Sequence, residues 1–113
     1  MTLKRVILEM GSGNDLHGGD YTKAAIRAVE DALHHSSLTM IRTLNINKND
    51  VIVAVTIGVQ KPDQVDIEAV KRILPVGTVS VSAVLGGLDV PDDEREDLTV
   101  IASAAIDVRL DLP

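Results

Sequence analysis

The only large aromatic side chain of the Phe, Tyr and Trp class in this chain is Tyr21, and phenylalanine, tryptophan and cysteine are absent from its 113 residues. Any core must therefore be assembled from Val, Ile, Leu and Ala. Branched aliphatic side chains suit a pleated, half-buried surface, so this composition favours sheet. The lack of cysteine excludes disulfides, thiolate nucleophiles and Cys-based metal sites. The length is that of one small domain able to bury a core without staples, and residues 1–113 are read as a single domain.

Hydrophobic periodicity then divides the chain. Residues 3–10 read as a first strand, with Val6, Leu8 and Met10 on one side and Arg5, Ile7 and Glu9 on the other. Tyr21, Ala24, Ala25, Ala28, Val29, Ala32 and Leu33 recur at helical spacing. Asp20 is placed to cap that helix, and His34 and His35 lie in its last turn, where a cation favours the dipole. Residues 38–44 extend the helix or cross as a short extended segment. The nearly continuous β-branched run at 51–59 is expected of a central strand covered on both faces. Ile67, Val70, Ile73 and Leu74 form the stripe of a second helix, ended by Pro75. Val79, Val81, Ala83 and Leu85 alternate with Thr78, Ser80 and Ser82, and residues 98–109 alternate again. Between these last two strands, residues 86–97 read as a polar, acidic connection.

The resulting order is β-α-β-α-β-β. Right-handed crossovers turn it into an α/β chain of the α+β two-layer type, a mixed sheet with both helices on one face. Arg5, Glu9, Thr56, Thr78, Ser80, Ser82, Ser103 and Asp107 fall on the other face among small apolar residues. Such a face is too polar for a closed core and too apolar to stand in water, so it is expected to be half-buried against other subunits. The element order resembles the chorismate-mutase-like arrangement. That resemblance implies a homo-oligomer, a trimer, with ligand sites in the clefts between subunits.

A formal charge of -6 argues against nucleic acid as a partner, because phosphate backbones are bound by Lys and Arg. No apolar run approaches the length of a membrane span, and the N-terminal residues lack a signal-peptide pattern. A soluble, cytoplasmic protein is expected.

Chemistry concentrates in one stretch, Gly11-Ser12-Gly13-Asn14-Asp15-Leu16-His17-Gly18-Gly19-Asp20, read as a loop between the first strand and first helix. A dinucleotide fingerprint fails because Leu16 stands where the third glycine belongs, and a P-loop fails for want of Gly-Lys-Ser/Thr. Asp15 and Asp20 at a helix N-terminus also set the segment against a bound phosphate. Asp15 and His17, with Asp20, make only a partial metal site, and neither metal nor cofactor is expected. Asp15 and His17 are instead candidates for proton handling in a cleft, with Ser12 as a possible nucleophile. Gly11, Gly13, Asn14 and Gly18 would line a small polar ligand. The alternative is a regulatory or structural module in which Asp15 and His17 merely shape the turn. Gly86 and Gly87 mark a bend after the third strand. Both glycine segments follow strands expected to be parallel, so they would border one crevice. The acidic run at 92–97 reads as a solvated turn.

The pattern G-x-G-x-D-x-H-G, here Gly11, Gly13, Asp15, His17 and Gly18, resembles the signature of a small family of conserved hypothetical proteins. This resemblance covers the whole chain and implies a functional segment without naming an activity. Asn14-Asp15, then Gly19-Asp20-Tyr21-Thr22, is also similar to one unit of the ring-opening amidohydrolases, the cyanuric acid hydrolase and barbiturase group. That looser similarity implies a hydrolase acting on a cyclic amide, with Ser82 as the serine counterpart. The sequence departs from it where those enzymes carry lysine, because Glu9-Met10 stands there.

Overall fold

A computed structural model describes residues 2–35, 43–74 and 77–112. Along the chain come β1 (Thr2–Asp15), α1 (Tyr21–His35), β2 (Ile52–Val59), α2 (Ile67–Lys71), β3 (Thr78–Leu85), β4 (Leu88–Asp92) and β5 (Asp97–Leu112). Among the described residues, α1 and α2 pack on one face of a mixed five-stranded sheet of order β1-β5-β2-β3, with β4 pairing β5. β1 and β2 both run antiparallel to β5, and β3 runs parallel to β2. The first three strands therefore share a direction, as expected, and their carboxyl ends emerge at one end of the sheet. The segment at 38–44 lies mostly outside the described residues, as does Pro75. Among the described residues no helix is long and apolar enough to cross a membrane.

Three local expectations are corrected. The first concerns the glycine stretch, because Gly11, Ser12, Gly13, Asn14 and Asp15 are strand rather than loop. Gly11 pairs with Ala104, Gly13 with Ala102 and Asp15 with Val100. The loop shrinks to residues 16–20. A steric reason lies above these positions. A Cβ on Gly11 would stand 2.4 Å from the Ala32 nitrogen, and one on Gly13 would stand 2.2 Å from the Ala28 nitrogen. Both distances are inside contact, so only glycine lets α1 settle this close. The helix meets the strand with its own smallest side chains, Ala24, Ala25, Ala28 and Ala32, all fully buried.

The second correction is one of register. A bulge between Arg5 and Ile7 leaves Val6 without a partner and inverts the alternation of β1. Arg5 pairs with Arg109, but Ile7 now pairs with Val108 and Glu9 with Ile106, on the helix side. Glu9 thus leaves the open face, and Leu8 and Met10 occupy it, 43% and 67% exposed. Strict period-two counting from Arg5 cannot see that slip.

Third, the acidic connection contains a strand. β4 forms a hairpin with β5, in which Leu88 pairs with Ile101 and Asp89 with Val100. Glu96, at φ 50°, closes its turn. Leu88 and Val90 join the open face, 60% and 48% exposed. Apart from Tyr21, the core on the opposite face is aliphatic, with Val53, Val55, Ile57 and Val59 of β2 beside Val100, Ile106 and Val108 of β5. At α2 the Asp66 carboxylate accepts the Ala69 N–H at 3.1 Å, and the Asp66 N–H donates to the Thr22 hydroxyl at 2.9 Å, tying the two helices together.

Gly11→Ala and Gly13→Ala are each expected to lower the unfolding free energy by about 1–3 kcal/mol or more, the cost of overpacking a close backbone contact. Ser12→Ala, on the opposite side of the same strand, should change it by less than about 0.5 kcal/mol. Urea denaturation of the three variants measures the contrast, and equal stabilities would show that α1 is free to move outward.

Candidate functional site

The chain leaves the sheet at Asp15, whose side chain is only 6% exposed. Its Oδ2 accepts the Asp20 N–H at 2.9 Å, and its Oδ1 stands 3.8 Å from Arg27 Nη1. Between these anchors the backbone passes through Gly18 at φ 96° and Gly19 at φ 63°, a left-handed turn that side-chain-bearing residues adopt only under strain. Asp20 then caps α1: its Oδ1 accepts the Lys23 N–H at 3.0 Å, and its carbonyl accepts the Ala24 N–H at 3.1 Å. Both carboxylates of the segment are therefore turned inward, onto backbone and Arg27.

The imidazole points the other way. His17 Nδ1 lies 2.7 Å from Asp97 Oδ2, and the second oxygen of Asp97 accepts the N–H groups of Gly18 at 2.9 Å and Leu98 at 2.8 Å. These contacts, the Gly18 N–H foremost and then His17 and Leu98, hold the Asp97 carboxyl at about 2, well below its ordinary value. An ionised carboxylate can only accept, so the proton of a neutral His17 ring sits on Nδ1. The lone pair of Nε2 is left facing outward from a ring that is 77% exposed.

Beside His17 lies an open depression of about 660 Å³. Gly13, Asn14, Asp15 and Leu16 line it from β1 and the turn, and Lys23 and Arg27 line it from α1. Arg27 Nη1 donates to the Asn14 carbonyl at 2.7 Å and so locks helix to strand at the rim. Of the residues singled out in the sequence, Gly13, Asn14, Asp15 and His17 meet here. Gly11 lies under α1 and Gly18 serves the turn that holds Asp97. Ser12 faces the bare side of the sheet, its N–H bound by the Asp31 carboxylate at 3.0 Å. Ser82 is on that same bare side, on β3, three strands from β1 and so roughly 14 Å away. Neither serine shares the space beside His17. Among the described residues no group of three or more His, Cys, Asp or Glu is arranged to hold a metal ion.

Sequence reading missed Asp97, Lys23 and Arg27. Asp97 was one acid in a run of acids, and its partner lies 80 positions away. Lys23 and Arg27 did leave a signal, two cations at i,i+4 on a helix whose first turn holds no acid. The second glycine segment also reaches this end of the molecule. Asp89 sits in the row Asp15–Val100–Asp89 across the sheet, and its Oδ2 accepts the Tyr21 hydroxyl at 2.5 Å. Burial, and then the Asp89 carboxylate, push the Tyr21 phenol up to about 12, so the ring stays neutral at the base of α1.

Because the Asp97 pKa is depressed on folding, its stabilising contacts are complete above about pH 4 and are lost as pH falls toward 2. The amide proton shifts of Gly18 and Leu98 are expected to titrate with a midpoint near 2. In Asp97→Asn that step should vanish. A wild-type midpoint at an ordinary aspartate value of about 3.9 would contradict the arrangement.

Comparison with known proteins agrees with this architecture. No curated protein matches the chain. A crystal structure from Nostoc punctiforme, described as an FtsZ-like protein of unknown function, is 35% identical, and the alignment covers 99% of each chain with a TM-score of 0.85. Residues 5–108 match the conserved hypothetical protein family Lin0512_fam, and the chain belongs to that family.

Proposed function

We propose that this protein binds a small polar metabolite in the depression beside His17, and that it does so as a homo-oligomer, a trimer, whose subunits meet across the bare face of the sheet. The observation that carries the reading is the His17–Asp97 pair. A carboxylate at 2.7 Å from Nδ1 fixes the ring and its tautomer and stabilises the imidazolium formed when Nε2 takes a proton. A histidine that served only to shape the turn would have no need of an outward Nε2 beside a metabolite-sized depression. In this reading Asp97 is a positioning residue, and the group that meets the ligand is His17.

Two features support assembly. The ring is too exposed in a lone subunit to bind or react in the dry surroundings that favour such chemistry, so a covering surface is required. The sheet face that carries Leu8, Met10, Leu88 and Val90 exposes these large apolar side chains among its polar ones, is contiguous with β1 and has no element packed over it among the described residues. Burying it against copies of the chain would also bring a neighbour up to the depression at the β1 edge.

Two measurements test the proposal. Light scattering at micromolar concentration should return three times the chain mass, and Met10→Lys or Leu88→Lys should lower it; a wild-type monomer overturns the assembly. In a thermal-shift screen of polar metabolites, compounds that raise the Tm of the wild type should lose most of that effect with His17→Gln, while the unliganded Tm of the variant stays within a few degrees of wild type. Equal ligand effects in both proteins would assign His17 to the structural alternative.

A further inference from the structure

The charged groups around the depression divide cleanly into those already engaged and those left free, and the division gives the chemistry of the ligand. The three carboxylates that adjoin the depression, those of Asp15, Asp20 and Asp97, each accept hydrogen bonds. Asp15 accepts the Asp20 N–H and faces Arg27, Asp20 accepts the Lys23 N–H, and Asp97 accepts His17, Gly18 and Leu98. Lys23 makes no side-chain hydrogen bond or ion pair among the described residues, and Arg27 uses one terminal nitrogen, Nη1, for both the Asn14 carbonyl and the Asp15 carboxylate. The one charge lining the depression without a counter-charge is therefore the Lys23 ammonium, and the Arg27 guanidinium, paired with Asp15 through Nη1, keeps its remaining N–H groups as donors.

Helix stability does not account for these two residues. Like charges at i,i+4 repel, and a cation at the third residue of α1 opposes the positive end of the helix dipole. Acids outnumber bases 17 to 11 in this chain, yet none occupies the first turn of α1. The Asn14 and Asp15 contacts account for Arg27, which leaves Lys23, on the wall of the depression, as the cation set against a local rule with no contact to explain it among the described residues. The acids that the sequence set against an anion are the same ones the fold has turned inward. Leu16, 58% exposed, adds an apolar edge beside the cations.

On the footing of the proposed ligand site, we infer that its occupant is a small organic anion. Its carboxylate or phosphate head is held between Lys23 and Arg27, and its body reaches toward His17 Nε2. Planar recognition by a guanidinium and a point charge from an ammonium suit both head groups.

Titration of the ¹⁵N-labelled full chain at low ionic strength tests this, with succinate, inorganic phosphate and succinimide as probes. Succinimide keeps the carbon skeleton of succinate but is an uncharged cyclic imide. Succinate or phosphate is expected to shift the amides of residues 13–17 saturably, and the tighter of the two identifies the head group; succinimide is expected not to. Lys23→Gln should weaken the anion by about tenfold, the loss of one charge-assisted contact. It removes an exposed side chain, so folding is not at stake, and Arg27→Lys reports separately on the fork geometry. The inference is overturned if succinimide shifts those amides as strongly as the anions, if neither anion gives saturable shifts, or if Lys23→Gln binds anions like wild type. The broader ligand site fails on a different result, indifference of the metabolite screen to His17→Gln.

Discussion

The backbone contact between β1 and α1 is the constraint on which the rest of the structure depends. Two glycines on the strand and four alanines on the helix bring main chain against main chain, with no room for a single added methyl at Gly11 or Gly13. Close packing of this kind fixes the height and the rotation of α1 above the sheet. At that height Arg27 reaches the Asn14 carbonyl, Asp31 reaches the Ser12 N–H, and the first turn of α1 falls within reach of the Asp15 and Asp20 caps. With larger residues at 11 and 13 the helix would ride higher and every one of these contacts would lengthen. The dense glycines thus shape the site indirectly, through the helix they admit.

The sequence made the architecture legible for a physical reason. Aliphatic periodicity is a local property, and the stripes of α1, β2, β3 and β5 each fit within one element. Alternation stated the faces correctly wherever a strand was regular. It failed at β1, where one bulged residue at Val6 moved Glu9 from one face to the other. It also failed at β4, a strand of five residues containing Pro91 and two acids, whose pairing with β5 outweighs a poor intrinsic pattern.

The site was legible in part, and the missing part has the same explanation. Asp15, His17 and the glycines stood out because they are close in sequence. Their meanings, however, are set by residues far away in the chain. Asp97 decides the tautomer of His17, Ala28 and Ala32 decide why Gly11 and Gly13 are glycine, and Asp89 accepts the hydroxyl of Tyr21. Counting acids near the helix start gave a negative segment. Following their hydrogen bonds shows those acids engaged and, among the described residues, Lys23 of α1 without a partner.

Arg27 joins the stability of this end of the molecule to its chemistry. β1 is an edge strand, and edge strands expose main-chain groups that invite pairing with other chains. Arg27 covers the Asn14 carbonyl and Asp31 covers the Ser12 N–H, so α1 closes this edge with its own side chains. The same guanidinium lines the depression and balances the buried Asp15. Lys23 carries none of these duties, so its charge is separable from the fold whereas that of Arg27 is not. β3, at the other end of the sheet, has no charged residue from Thr78 to Leu85 and, among the described residues, pairs on one side only, with β2. One edge is thus guarded and the other is not, and the unguarded side is continuous with the apolar face through which the proposed subunits meet.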